Sequence, residues 1–191
     1  MFALFYTQTL RFVKVFAVEK IIKLKDIEVT VDGLKVSVSG KKGSLSKDFS
    51  SPLFNKAIKV EKSGDEIKVF TQETRRNIKA AVGMIAAMIQ TMAKGVTDGY
   101  QEKMKIVFMH FPVTVKVTGK EVTITNFLGE KSPRSAPIIG DTKVEIKGDE
   151  IFVSGINKEE VGQTCSNLEI ATKITARDRR VYQDGIFKFS G

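Results

Sequence analysis

Short runs of alternating apolar and polar residues fill most of this chain, and in two places the period changes to that of a helix. Ile27 to Val31 and Leu34 to Val38 read as strands around Asp32-Gly33, and Val36-Ser37-Val38 predicts a half-buried face. Leu45 to Phe49 is a further short strand. Val60-Glu61 and Ile67-Lys68-Val69 alternate on either side of Ser63-Gly64-Asp65, a hairpin turn in which Gly64 accepts positive φ without a Cβ clash. From about Arg75 to Lys94 the period lengthens: Ile78, Val82, Ile85, Ile89, Met92 and Val96 draw one apolar stripe along a helix. Ala81, Ala86 and Ala93 keep that side thin enough to approach a sheet. Met84 and Met88 lie off the stripe, which suggests a second covered surface. Gly83 costs roughly 1 kcal/mol of helix propensity and suggests a backbone contact, and Lys94-Gly95 reads as the helix stop.

The second half repeats the plan. Val113 to Val117 and Glu121 to Thr125 form a hairpin around Gly119-Lys120, and Asn126 to Arg134 leaves the sheet as a loop. Asn157 opens a second helix with Glu160 in capping-box position, and Val161, Cys165, Leu168 and Thr172 continue its stripe. The repetition is literal at one point. Lys59 to Val69 and Lys143 to Val153 share eight of eleven residues at an offset of 84. Val31 to Gly43 aligns with Val117 to Gly129 at an offset of 86, and Val82-Gly83 with Val161-Gly162 at 79. A slowly drifting offset in constant order is the mark of duplication, and two copies are too few for a solenoid. The expected fold is α+β: an extension at 1–20, a first domain at 21–100 and a second at 101–191. Each domain is a small antiparallel-rich β-sheet packed with one helix.

Composition narrows the function. With 191 residues, 42% hydrophobic and 28% charged, the chain is ordinary globular material for two small domains. Its single cysteine excludes an intramolecular disulfide framework and fits a reducing compartment. No run reaches the roughly 18 apolar residues of a membrane span. The net charge is +9, and the first hundred residues carry 17 Lys/Arg against 10 Asp/Glu. That favours an anionic partner, most often nucleic acid. On charge alone, a soluble protein–protein module with a solvated basic face stands beside it. Met1 to Val18 holds Arg11 and Lys14 and no acid. It reads as an added tail or an early start codon, with an organelle presequence as the alternative.

The candidate chemistry is binding rather than catalysis. Gly40-Lys41-Lys42-Gly43 is a cationic turn that could seat a phosphate on Lys41 and Lys42. Lys131, Ser132 and Arg134 lie on a loop that could reach phosphates. The carboxyl segment interleaves Lys173, Arg177, Arg179, Arg180 and Lys188 with Tyr182 and Phe187. Arginine forks grip phosphates and flat rings stack on bases. The structural alternative there is an edge strand with a solvated basic face. One His110 and one Cys165 cannot make a His/Cys metal cluster, so no metal is expected. His110 reads as a packing residue and Cys165 as a small core residue. Gly-x-Ser-x-Gly, Gly-x-Gly-x-x-Gly and the nucleotide P-loop pattern are absent.

About residues 20–189 resemble the sixth universal large-subunit ribosomal protein family, numbered nine in eukaryotic nomenclature, in its eukaryotic and archaeal form. Gly95-Val96-Thr97, Gly99, Lys103-Met104, Val107 and His110-Phe111-Pro112 are similar to its interdomain stretch. Asn126-Phe127-Leu128-Gly129-Glu130-Lys131 looks like its second-domain loop, and Asp178, Arg180, Tyr182 and Asp184-Gly185-Ile186 like its carboxyl segment. Where the family commonly has Val-Lys-Gly-Pro-Lys-Gly, this chain has Val38-Ser39-Gly40-Lys41-Lys42-Gly43. The resemblance implies a structural, non-catalytic ribosomal protein in the cytoplasm, with no cofactor and no small-molecule substrate. Its partners would be large-subunit ribosomal RNA, gripped near the sarcin–ricin region and stalk base, and neighbouring ribosomal proteins. The family motif carries that role onto Lys131, Arg180 and Tyr182. Ser132, Arg134, Lys173, Arg177, Arg179 and Lys188 join them by charge and reach.

Overall fold

A computed structural model describes residues 18–23, 27–52, 55, 57–64, 66–109, 111–175 and 177–189. The amino-terminal cations Arg11 and Lys14, Asp65 and the lone His110 lie outside the described residues. The first domain runs β1 (Val18–Lys23), β2 (Glu28–Asp32), β3 (Lys35–Gly40), β4 (Gly43–Asp48), β5 (Ile58–Ser63), β6 (Glu66–Thr71) and α1 (Arg76–Thr97). The second runs β7 (Tyr100–Val107), β8 (Thr114–Thr118), β9 (Glu121–Thr125), β10 (Arg134–Pro137), β11 (Lys143–Lys147), β12 (Glu150–Gly155), α2 (Lys158–Ala171) and β13 (Gly185–Lys188).

The α+β duplication stands, with a refinement: each domain holds two antiparallel sheets rather than one. They are β1-β6-β5 and β2-β3-β4 in the first domain, and β11-β12-β7-β13 and β10-β9-β8 in the second. β1 and β7 are equivalent, each pairing with the second strand of the repeated hairpin. The hairpins match in register. Val60 faces Val69 as Val144 faces Val153, and Ser63 faces Glu66 as Lys147 faces Glu150. Both turns place glycine in the left-handed region, Gly64 at φ 60° and Gly148 at φ 61°, as a two-residue hairpin loop requires. The second domain adds β13, antiparallel to β7 on the side away from β12.

Helix α1 buries the predicted stripe. Ile78, Val82, Ile85, Ile89, Met92 and Val96 close on Val36, Val38, Ile67 and Val69. By length and composition α1 could cross a membrane, but ten of its residues are buried, as in a soluble core helix. Two expectations for this helix fail. Gly83 faces open space, so no neighbour explains it. The helix also runs past Lys94-Gly95 to Thr97 and ends where Asp98 N–H reaches back to Lys94 O. Gly95 is inside the helix because the second domain lies against it: a Cβ there would collide with the carbonyl oxygen of Ile156. Met88, half-buried, packs with Leu45 and Ile156 on the first core, whereas Met84 stays exposed.

That contact is the joint between the domains. Tyr100 Oη donates to Thr91 O across it at 3.0 Å, and on the first-domain side Lys42 N–H donates to Val96 O at 3.0 Å. Lys47 pairs with Glu159 at 2.5 Å across it, a half-exposed bridge worth under about 1 kcal/mol. Asn157 caps α2 by accepting from Glu159 N–H at 3.1 Å, and its Nδ2 donates to Glu160 Oε1 at 3.0 Å. Glu160 therefore supports the cap through the Asn157 side chain instead of closing on the backbone.

Candidate nucleic-acid interface

The loop between β9 and β10 is shaped by two left-handed residues, Asn126 at φ 61° and Leu128 at φ 52°. Asn126 Nδ2 donates to Pro112 O at 3.0 Å, and Phe127 turns inward to fill the second core. The chain then brings Glu130 back to Arg134, the first residue of β10. Arg134 donates from Nε and Nη2 to the two Glu130 oxygens at 2.8 and 2.6 Å. Its Nη1 donates to Ala171 O at 2.9 Å and Lys173 O at 3.3 Å, and its plane lies 4.5 Å from the Phe127 ring. These bonds hold the Glu130 carboxyl below the usual glutamate range. Arg134, expected to reach a phosphate, thus ties the loop to the carboxyl end of α2. Lys131 and Ser132 are left exposed on the outside of that loop.

Beyond α2, buried Thr172 locks the carboxyl segment onto the domain. Its hydroxyl donates to Leu168 O at 3.1 Å and accepts from Ile186 N–H at 3.1 Å. A turn follows in which Val181 and Tyr182 N–H groups both donate to Asp178 O, at 3.1 and 2.9 Å. Arg180 donates to the Asp178 carboxylate from its backbone, Nε and Nη2 at 3.0 to 3.2 Å, which holds that carboxyl below its ordinary range. The Arg177 guanidinium stacks 4.8 Å from the Tyr182 ring. Lys188 pairs with Glu102 at 2.9 Å, which raises its ammonium pKa. Of the carboxyl-segment cations, Lys173 and Arg179 have exposed side chains with no partner among the described residues. β13 is an edge strand, and its alternation turns Ile186 inward and Phe187 outward.

The loop and the carboxyl segment therefore meet, joined by Arg134 at one end of α2. Lys41 and Lys42 do not join them. Their turn lies at the opposite end of α2, against the carboxyl terminus of α1, and α2 is about 20 Å long. Both the Lys42 amide and its ammonium are engaged there, with Val96 O and Asp98 O. Lys41 is exposed. Exposed apolar side chains escaped the sequence reading: Phe108, Met109, Phe111, Ile170, Val181 and Phe189. Phe189 continues the outward phase of Phe187, a signal that alternation alone could have given.

No cluster of three or more His, Cys, Asp or Glu able to hold a metal occurs among the described residues. Cys165 is a buried core residue whose thiol burial pushes up to about 11, so it stays protonated and a poor nucleophile at neutral pH.

Comparison with known proteins adds the deciding observation. The family model for Ribosomal protein L6 matches residues 25–99 and again residues 111–185, once in each half of the duplication. The chain belongs to the Ribosomal protein L6 family. Among its relatives, the large ribosomal subunit protein uL6 of Methanocella arvoryzae is 45% identical over 172 residues, covering 86% of this chain and 95% of the relative. The uL6 proteins of Methanobrevibacter smithii and Staphylothermus marinus are 46% and 48% identical, each over at least 85% of this chain and 88% of the relative. All three are archaeal, in line with the eukaryotic and archaeal form that the resemblance implied. L6 is a structural ribosomal family, not a family of enzymes.

Proposed function

We infer that this protein is a structural constituent of the large ribosomal subunit in the cytoplasm. It grips large-subunit ribosomal RNA, near the sarcin–ricin region and the stalk base, with one end of its second domain. The observation that carries the reading is the gathering of exposed cations around the carboxyl end of α2 in an L6-family chain. Lys131 stands on the loop; Lys173 and Arg179 follow the helix with no carboxylate partner among the described residues. Arg180 is exposed, and its ion pair with Asp178 is weak in water and can be exchanged for a phosphate. Tyr182, backed by Arg177, offers a flat face.

The mechanism is scaffolding: phosphates are neutralised and their counterions released, while stacking fixes register. Arg134 contributes by holding the loop against α2, not by touching RNA. The exposed Phe108, Met109 and Phe111 favour a neighbouring ribosomal protein on that side. The test is a salt titration of binding to a large-subunit RNA fragment. Replacing Lys173 and Arg179 together by Ala lowers the slope of log K against log salt by about 1.4–1.8, two phosphate contacts' worth. An unchanged slope removes both residues from the interface.

A further inference from the structure

A recess of about 620 Å³ opens beside the same cations, between the carboxyl end of α2, the end of β7 and the segment leading into β13. It is large enough for a nucleotide. Ile170, Tyr182 and Phe187 give it apolar and aromatic walls, and Lys173 and Arg179 line it as unpaired cations. Glu169 also lines it, but its carboxylate is engaged by the Lys188 N–H at 3.2 Å. Asp184 is the unusual member. It is 2% exposed; Oδ1 accepts from Met109 N–H at 3.0 Å, and Oδ2 has no partner among the described residues. A buried carboxylate oxygen without a donor is costly, and natural proteins seldom leave one without a reason.

We propose that this recess holds one unstacked nucleotide of the RNA bound by the second domain. Its phosphate lies against Lys173 and Arg179, its base against Tyr182 and Phe187, and a base N–H donates to Asp184 Oδ2. Every base carries an N–H donor at its pairing edge, and this edge is free only when the base is unpaired, so the recess selects single-stranded over duplex RNA. Oδ2 is covered in the free chain. The Phe187 ring, 44% exposed, lies back across Gly185, the residue after Asp184. The inference rests on the RNA-binding reading above and adds the position of one nucleotide to it.

The test is an amide NMR titration of the full chain with the four nucleoside 5′-monophosphates, with ribose 5-phosphate and inorganic phosphate as controls. The expected result is saturable shifts at Lys173, Tyr182, Asp184 and Gly185 that differ between bases and exceed those of the controls. Asp184→Asn keeps an acceptor for Met109 but turns a donor toward the ligand. It weakens the preferred nucleotide about tenfold without weakening inorganic phosphate, since the lost charge is negative. Equal shifts with inorganic phosphate, or none with any nucleotide, overturn the proposal. Binding of the unaltered chain to the large-subunit RNA fragment is measured alongside. If the fragment binds and the nucleotides do not, only the recess falls; if the fragment does not bind, the parent reading falls with it.

Discussion

Replacing Arg134 by Met separates two roles that the same residue type can play. As an RNA ligand, Arg134 would be exposed and able to exchange its partners for a phosphate, as Arg180 is. In the structure it makes two charge-assisted bonds to Glu130 and two to the carbonyls of Ala171 and Lys173, with its face on Phe127. Methionine keeps much of the stem and the contact with Phe127 but removes all four bonds. Charged hydrogen bonds contribute about 1.5–3 kcal/mol each when well shielded. Here the Arg134 side chain is 26% exposed and that of Glu130 is 38% exposed, so water recovers part of the loss. The net cost is about 2–3 kcal/mol. With a urea dependence of about 2 kcal/mol per molar, the unfolding midpoint falls by about 1–1.5 M. Arg134→Lys regains the charge but not the fork, and recovers less than half of that. The second readout is the salt slope of RNA binding. An internal clamp leaves it unchanged, whereas a lost phosphate contact lowers it by about 0.7–0.9. A stable variant with a reduced slope would refute the structural assignment.

Further outcomes follow from the same structure. Because the folded Glu130 carboxyl is held below its ordinary range, its contribution is complete at neutral pH. It is lost as pH falls through the glutamate range near about 4 and below, so the stability gap between Glu130→Gln and the unaltered chain closes in acid. The two glycines of α1 act in opposite senses in urea unfolding: Gly83→Ala, facing open space, stabilises by about 0.5–1 kcal/mol. Gly95→Ala, pressed against Ile156 O, destabilises by about 1–3 kcal/mol; a neutral result would mean the domains do not close on each other there. Cys165 resists alkylation at pH 8 in the folded protein and reacts fully in denaturant; rapid native labelling would place it at an exposed site.

Much of this architecture is legible in the residues because duplication prints the same hairpin twice. Lys59 to Val69 and Lys143 to Val153 match in sequence, and the structure gives them the same register and the same glycine turn. The stripe from Ile78 to Val96 likewise predicts which face of α1 is buried. The second sheet in each domain is not legible, because alternation marks a strand without naming its neighbour. Long-range backbone contacts hide equally well. Gly95 reads as a helix stop, yet it is a close approach to a residue 61 positions further on. Gly83 reads as a contact and makes none.

At the site, composition located the cations but could not say which were spent. Arg134, Arg180 and Lys188 find carboxylates in the fold, and Arg177 finds a ring. Lys173 and Arg179 find neither among the described residues. Arg180 and Asp178, two residues apart, and Arg134 and Glu130, four apart, lie close enough in sequence for pairing to be read without the fold, whereas Lys188 finds Glu102 only through it. Glu102 and Lys188 are brought together by β13 lying beside β7.

The central claim is assembly into the large ribosomal subunit, and sedimentation tests it most directly. Tagged protein from a cell lysate is run on sucrose gradients at moderate and high salt. Co-migration with the large subunit that survives the salt wash is the expected result. Protein remaining free at the top of both gradients would contradict it, and the cations at the end of α2 would then require another anion.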